Sequence, residues 1–298
     1  MIIKSSAPTR ISLFGGGCDI PSFAEKYGGM VINIAINIRQ RLTLYSESDL
    51  FEIGKNSFPP LADPSFYYKI LEEFGINGMH HTKIQSEFDG IIESGIGSSA
   101  SAAVCLIGAI NKMLDLKLSL SEIAEKAWDI EVNKIGLFGG KQDQYAAVFG
   151  GVNIMEFNDK VKVIPFARSN IESLSSSLVL FYTGENRKSA IIQEGLKKLT
   201  KYQIDNLNNI KGLAATAVEY INKGDIETIG YLLDEAWNYK KHSNKGVSTS
   251  EIDNYYNEAK KAGALGGKIC GAGGGGFMIF IVRPENKAKF IEKMEKKG

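Results

Sequence analysis

Cysteine is scarce in this chain, and neither sign of charge prevails. The three cysteines among 298 residues, Cys18, Cys105 and Cys270, are odd in number and far apart, so they match neither a disulfide framework nor the paired spacing of zinc and redox motifs. Lysine plus arginine (35) nearly balances aspartate plus glutamate (34). The chain therefore has no overall field that would attract nucleic acid or an anionic membrane.

Long apolar stretches are also missing. The longest nearly uncharged one, residues 100–110, is shorter than the roughly 20 residues that cross a bilayer. The N-terminus reads as a strand and lacks the apolar core and cleavage site of a signal peptide. We expect a cytoplasmic protein with a small-molecule partner and with no nucleic-acid or membrane partner. A homo-oligomer is compatible with the sequence.

The chain does have a hydrophobic content of 44%, which is enough for buried cores, and a length that suits two domains. Strand and helix patterns alternate irregularly along it, which predicts an α+β fold with an N-terminal domain over residues 1–165 and a C-terminal domain over 166–298. The predicted strands are 10–14, 30–38, 41–45, 83–86, 177–182 and 277–282, and the predicted helices lie at 66–74, after 98, after 119, after 142, between 189 and 263, and at 285–297.

One glycine- and serine-rich segment, ESGIGSSAS (residues 93–101), runs directly into an apolar helical pattern. Glycines let a backbone approach an anion closely, and the unpaired N–H groups and dipole of a helix N-terminus attract it. Serine and glycine also begin ordinary helices, so this segment alone is equally compatible with a helix N-terminus that binds no ligand. Two further glycine-rich segments, at residues 15–19 and 271–276, favour a composite nucleotide site.

Two common nucleotide motifs fail when their context is considered. Gly140-Lys141 is followed by Gln142, so the hydroxyl of a P-loop is missing. Gly95-x-Gly97-x-x-Ala100 fits the dinucleotide fingerprint and has Asp115 downstream, but that acid leads into another helix and does not end a second strand. The glycines at 271, 273 and 276 lead into a strand and not into a helix.

Two carboxylates occupy unusual positions. Glu131 shares a helical face with Leu120, Ala124 and Ala127, after a capping-box pattern at Ser119, so it calls for a metal or a polar partner unless it reaches solvent at the helix end. Asp143 falls in the first turn of the next helix, where the dipole favours its ionised form. Asp143 could accept a hydroxyl proton near a phosphate, or it could do no more than stabilise the helix dipole.

Three segments in order resemble the motifs of the GHMP kinase superfamily, the small-molecule kinases that include galactokinases and mevalonate kinases. They are APTRISLFGGGCD (residues 7–19), GIGSSAS (95–101) and KICGAGGGG (268–276). The segments GGGCD (15–19), GKQDQ (140–144) and YTGENRKS (182–189) most resemble the D-glycero-D-manno-heptose 7-phosphate kinases of that superfamily. Gly16-Gly17 stands where galactokinases usually carry Glu-His, and Cys18 stands where threonine is usual.

The resemblance implies ATP and Mg²⁺ as cofactors and a ferredoxin-like α/β sandwich in the C-terminal domain. It implies that the second motif holds the ATP phosphates, that the third closes around them, and that Ser99 and Glu131 bind the metal. The nucleotide-binding residues that it implies are Gly95, Gly97, Ser98, Ser99, Ala100, Gly271, Ala272, Gly273 and Gly274.

Asp143 matches the catalytic aspartate of the superfamily and Arg10 its basic partner. Asp19 and Gly17 would contact the sugar, although an Asx-turn is open for Asp19. Arg187 is a candidate for a substrate phosphate or for a surface salt bridge. The implied reaction is phosphorylation of D-glycero-D-manno-heptose 7-phosphate at its anomeric oxygen. A sugar-1-kinase for L-fucose or galactose and a sugar sensor without turnover are the alternatives.

Overall fold

The computed structural model describes residues 1–46, 53–55, 64–76, 82–185 and 195–297. In chain order the elements are β1 (Ile2–Phe14), α1 (Pro21–Tyr27), β2 (Gly29–Ser46), β3 (Ile53–Lys55), α2 (Pro64–Glu72), β4 (Thr82–Phe88), α3 (Ser98–Met113), α4 (Leu120–Asp129), a π-helical turn (Ile130–Lys134), α5 (Gln142–Phe149), β5 (Val152–Phe157), β6 (Val161–Pro165), α6 (Arg168–Ser177), β7 (Leu178–Tyr182), α7 (Lys201–Lys223), α8 (Ile226–Ser243), α9 (Ser250–Ala262), β8 (Ala264–Ile269), β9 (Phe277–Val282), a 3₁₀ turn (Pro284–Asn286) and α10 (Lys287–Glu295).

The chain forms two compact units that interleave along the sequence. The first unit contains Met1–Arg10, Ala35–Ile92 and Gly97–Gly151, and the second contains Ile11–Ile34, Glu93–Ile96 and Val152–Gly298. This division differs from the one predicted at residues 165 and 166, because β1 and β2 each pass from one unit to the other. The predicted domain boundary stays a prediction.

The long strand β2 changes partners along its length. Residues Gly29–Ile34 pair antiparallel with β5, which pairs with β6, whereas Gln40–Ser46 pair antiparallel with β4, which pairs in parallel with β3. The predicted mixed sheet is confirmed. The two strands predicted at 30–38 and 41–45 are one strand, because the chain stays extended where the partner changes.

The first unit packs helices α2, α3, α4 and α5 around a common core. Small side chains along α3, such as Ala102, Ala103 and Ala109, let this helix sit deep in that core. The predicted capping box is present at the start of α4: Ser119 Oγ accepts from the Glu122 N–H, and the Glu122 carboxylate accepts from the Ser119 N–H. The helix predicted around Asp143 is α5.

The second unit has a three-stranded antiparallel sheet in the order β7-β9-β8, with a core that includes Trp237, Phe280 and Phe290. β9 was predicted and β8 was not, because Gly266 and Gly267 lower the strand propensity of its sequence. Both glycines are needed for packing. A Cβ on Gly266 would lie 2.0 Å from the Gly230 carbonyl oxygen of α8, and one on Gly267 would lie 2.3 Å from the Phe280 ring.

No helix in the described ranges is long and apolar enough to span a membrane.

Candidate active site

A bidentate ion pair joins the start of the chain to α5 within the first unit. Arg10, which is buried on β1, donates from Nε to Asp143 Oδ1 at 2.7 Å and from Nη2 to Asp143 Oδ2 at 2.6 Å. This parallel geometry is the strongest that a guanidinium offers to a carboxylate. The Asp143 side chain is still 26% exposed, so its remaining lone pairs can reach a ligand. Arg10 and Asp143 therefore come together as the sequence predicted.

Gly97 explains how Asp143 can lie against the glycine–serine segment. Gly97 has φ +77°, and a Cβ there would be 3.2 Å from Asp143 Oδ2 and 3.5 Å from Arg10 Cγ. A Cβ at this distance would press on the ion pair, and φ +77° is a conformation that L side chains rarely adopt, so glycine suits this position best. The carboxylate consequently borders the start of α3.

Three N–H groups are available at the N-terminus of α3. Gly97 caps this helix without a side-chain hydrogen bond, and the first intrahelical bond of the turn is from Ser101 N to Gly97 O at 3.1 Å. Ser98, Ser99 and Ala100 therefore present amides that have no acceptor within the helix. Ser101 Oγ donates to Pro8 O at 2.7 Å and fixes this end of α3 to β1. Such a helix start suits a phosphate.

Glu131 lies on the π-helical turn and is only 3% exposed. Its Oε2 accepts a hydrogen bond from Gln144 Nε2 at 2.6 Å, and the Ser99 hydroxyl is a second hydrogen-bond partner. Burial is the main cause that raises the pKa of Glu131 to about 7, and the charge of Asp143 adds to it, while both hydrogen bonds oppose the shift. The carboxylate predicted in the apolar stripe is thus buried and does not reach solvent.

The oxygen atoms around Glu131 fit a magnesium ion. Lysine and arginine form no ion pair with Glu131 among the residues described, and Gln144 Oε1 is buried without a hydrogen-bond partner there. The described part of the chain holds no cluster of three acidic, histidine or cysteine ligands. Mg²⁺ keeps several waters and commonly takes one or two protein oxygens plus phosphates, so a carboxylate with a hydroxyl suffices.

In the second unit, the segment before Gly97 packs backbone to backbone against the third glycine-rich segment. A Cβ on Gly271 would lie 2.7 Å from Gly95 Cα, and one on Gly276 would lie 2.3 Å from Ser94 O. The Phe277 N–H also donates to Ser94 O at 3.0 Å. Gly95 and Gly271, which the sequence predicted to share a site, are in contact.

Some backbone amides of the third glycine-rich segment (residues 271–276) fix the loop by hydrogen bonds, and others have no acceptor. The Gly274 N–H donates to Val247 O at 2.9 Å, and the Gly276 N–H donates to Glu185 O at 2.7 Å. Within the described residues, the amides of Gly271, Ala272, Gly273 and Gly275 have no acceptor. These four are the donors that the loop can offer to an anion.

The first motif is fastened to α7 within the second unit. Cys18 Sγ donates to Leu207 O at 3.3 Å, and a Cβ on Gly17 would lie 3.2 Å from Leu207 Cδ2. Burial raises the pKa of the Cys18 thiol, with the Asp19 charge as a smaller cause. The side chain at 18 therefore contacts the helix backbone, and Asp19 is buried beside it. Arg187 lies outside the described residues.

Gln144 is a site residue that sequence reasoning did not single out. It follows Asp143 on α5, is 5% exposed and bonds the buried carboxylate of another element. The available signal was a second amide side chain in the first turn of α5, which begins Gln-Asp-Gln and then becomes apolar up to Phe149. Its partner could not be read from the sequence, because Glu131 is on the π-helical turn.

The model of the GHMP kinases N terminal domain matches residues 65–151, and that of the GHMP kinases C terminal domain matches residues 217–298. The chain is 33% identical, over 99% of its length and 93% of the relative, to a protein of Campylobacter jejuni named D-glycero-alpha-D-manno-heptose 7-phosphate kinase. The chain belongs to the GHMP kinase family. The predicted fold and the predicted enzyme class, a sugar kinase, are confirmed.

Two other relatives differ in their named substrates. A Bacteroides fragilis L-fucokinase/L-fucose-1-P guanylyltransferase is 26% identical over 98% of this chain, which covers 36% of that protein. A crystal structure described as a D-glycero-D-manno-heptose 1-phosphate kinase from "Bacteriodes thetaiotaomicron" superposes with a TM-score of 0.77 at 28% identity, and covers 99% of this chain and 93% of that one. The comparisons agree on the family and differ on the substrate.

Proposed function

We propose that this kinase transfers the γ-phosphoryl group of ATP to the anomeric oxygen of D-glycero-D-manno-heptose 7-phosphate and so makes the 1,7-bisphosphate. The observation that carries the reaction type is the bidentate pair of Arg10 with Asp143, placed beside Gly97 at the start of α3. The heptose relative, at 33% identity over 99% of the chain, supports the substrate.

Asp143 accepts or orients the proton of the attacking hydroxyl in this proposal. Both of its oxygens already accept from Arg10, so the carboxylate cannot rotate, and its exposed side faces the substrate. Arg10 orients the Asp143 carboxylate and adds positive charge where the phosphoryl group carries negative charge. Positioning and charge stabilisation of this kind supply most of the catalysis of phosphoryl transfer.

In the first unit, the amides of Ser98, Ser99 and Ala100 are proposed to bind phosphates of ATP. In the second unit, Gly271, Ala272 and Gly273 are proposed as nucleotide-binding residues because they belong to the third family motif and their amides have no acceptor among the described residues. Gly95, Gly97 and Gly274 are proposed for the nucleotide because the absence of a side chain lets a phosphate approach the backbone closely. Ser99 and Glu131 would hold Mg²⁺, which when bound neutralises phosphate charge. Asp19 and Gly17 are proposed for the sugar and Arg187 for its 7-phosphate.

An ADP-release assay tests the substrate. The panel contains heptose 7-phosphate, unphosphorylated heptose, D-galactose, L-fucose, D-mannose and mevalonate, with Asp143→Asn as the inactive control. We expect turnover on heptose 7-phosphate alone. Turnover on a free sugar would contradict the requirement for a substrate phosphate.

A free-sugar kinase is the second candidate, because the L-fucokinase relative aligns with 98% of this chain. Rapid turnover on L-fucose would establish it and would keep the role of Asp143. A sensor without turnover is disfavoured, because Arg10, Ser99, Glu131 and Asp143 are all present. Sugar-dependent nucleotide binding without ADP release on any substrate would revive that alternative.

A further inference from the structure

Lys240 is a buried cation at the end of α8. Its residue is 9% exposed, and its ammonium group donates to Ile269 O at 3.1 Å and to Gly271 O at 2.7 Å. Taking an ammonium group out of water is costly unless it is hydrogen-bonded. These bonds to two backbone carbonyls offset that cost, and they tie α8 to the beginning of the third glycine-rich loop.

The bond to Gly271 O fixes the direction of one peptide unit. The described chain contains no cis peptide bond, so the Gly271 carbonyl and the Ala272 N–H point in opposite directions across their shared plane. Because the carbonyl points at Lys240, the Ala272 N–H points away from it. That amide has no acceptor among the described residues, so it is available to a ligand.

The backbone of Gly95 also confines this part of the loop. Gly271 packs on Gly95, where an added Cβ would come within 2.7 Å of the Gly95 Cα. Further along the loop, the Gly274 N–H bonds Val247 O, on the connection that follows α8. The loop is therefore held at two points by the end of α8 and the residues after it.

We propose that Lys240 is a positioning residue for the nucleotide: by holding the Gly271 carbonyl, it turns the Ala272 N–H toward a phosphate of ATP. Its positive charge also strengthens that N–H as a donor, because the ammonium polarises the peptide unit from the carbonyl side. This inference rests on the proposed function, since it requires ATP to bind at this loop.

Lys260 provides a control, because it bonds a backbone carbonyl of the same strand, β8. Its ammonium group, on α9, donates to Leu265 O at 2.7 Å, near the beginning of β8, and lies 3.5 Å from Asp234 Oδ1. Both lysines thus hold a carbonyl associated with β8, but only Lys240 holds the glycine loop. Replacing either lysine removes a bond to a backbone carbonyl, although the Lys260 side chain is more exposed, at 34%. Loss of loop orientation is specific to Lys240.

The test compares Lys240→Met with Lys260→Met in the full chain. Calorimetry measures binding of ADP and of AMP-PNP, and steady-state kinetics measure kcat and the KM values for ATP and for the sugar phosphate. We expect Lys240→Met to raise the nucleotide Kd and the KM for ATP about tenfold, the loss expected for one hydrogen bond to a charged group, with a smaller change in the KM for the sugar. Lys260→Met should lower Tm and leave nucleotide binding unchanged.

A second variant tests the same peptide unit without touching Lys240. Replacing the Ala272 amide by an ester, through incorporation of lactic acid, removes the N–H and should weaken nucleotide binding as much as Lys240→Met does. Wild-type affinity in the ester variant, or equal losses of affinity in the two lysine variants, would overturn the role of Lys240. Failure of the wild-type protein to bind either nucleotide would overturn the proposed function as well.

Discussion

The candidate residues of the two units differ in their chemistry. The first unit supplies side chains whose charges are held by specific hydrogen bonds, namely Arg10 with Asp143 and Glu131 with Gln144. The second unit supplies mostly backbone, whose shape depends on glycines that touch other backbone atoms, such as Gly271 against Gly95. Activity should therefore respond most strongly to changes of side-chain functional group in the first unit. In the second unit it should respond most strongly to glycine-to-alanine substitutions, which add one Cβ.

The largest effect is expected from Asp143→Asn. An amide cannot take the proton and pairs poorly with Arg10, so kcat should fall about 10³-fold, and Tm should fall as well because the buried Arg10 loses its charged partner. Rate and melting measurements check this. The matched control is Asp89→Asn, which breaks the exposed ion pair with Arg41 in the same unit and should leave kcat unchanged. Equal losses in the two variants would refute the role of Asp143.

A large effect is also expected from Gly271→Ala in the second unit. The new Cβ would collide with Gly95, and the residue has φ +60°, so the loop must shift and nucleotide binding should be largely lost. Calorimetry with ADP measures the loss. Gly212→Ala, at an open helical position on α7, should instead stabilise the protein by about 0.5–1 kcal/mol. Normal ADP binding by the Gly271 variant would argue against this loop as a phosphate site.

A smaller effect is expected from Gln144→Met. The variant keeps the volume but removes the donor to Glu131, which should raise the Mg²⁺ concentration for half-maximal rate about tenfold. Titration of activity with Mg²⁺, and of Mn²⁺ binding by electron paramagnetic resonance, measures this. Gln142→Met on the same helix is the control. An unchanged metal requirement would separate Gln144 from the metal site.

The pH dependence of stability without metal should reveal the buried carboxylate. Because the pKa of Glu131 is about 7 in the folded state and near 4.5 in the unfolded state, the folded protein binds more protons between these values. Its unfolding free energy should therefore fall by roughly 3 kcal/mol in total as pH rises from 4.5 through 7. Melting in EDTA across this range measures it.

Glu131→Gln is the control for that experiment, since an amide does not titrate. The unfolding free energy of this variant should not show the fall between pH 4.5 and 7, and the variant should be more stable than the wild type at pH 8 in EDTA. Parallel pH profiles for the two proteins would contradict the burial of an ionisable Glu131.

Local patterns in the sequence predicted much of the fold and the side chains of the site. The capping box at Ser119, the position of Asp143 in α5 and the strand β9 all depend on neighbouring residues, so they could be read directly. The motifs also identified Arg10, although its bond to Asp143 joins residues 133 positions apart.

What the sequence did not reveal depends on contacts between distant elements. β8 was missed because Gly266 and Gly267 are there for close packing, against Gly230 and Phe280, and not for strand propensity. Gln144 and Lys240 were missed because each is defined by its partner, a carboxylate on the π-helical turn in one case and two loop carbonyls in the other. A buried polar side chain carries no local signal of what it binds.

The most direct test of the central claim is the position of the new phosphate. The kinase would be incubated with ATP, Mg²⁺ and D-glycero-D-manno-heptose 7-phosphate, and the product examined by ³¹P NMR before and after mild acid. The account predicts a second phosphorus coupled to the anomeric proton and released by acid, with no such product from Asp143→Asn. An acid-stable phosphate on another carbon, or the same product from the variant, would contradict it.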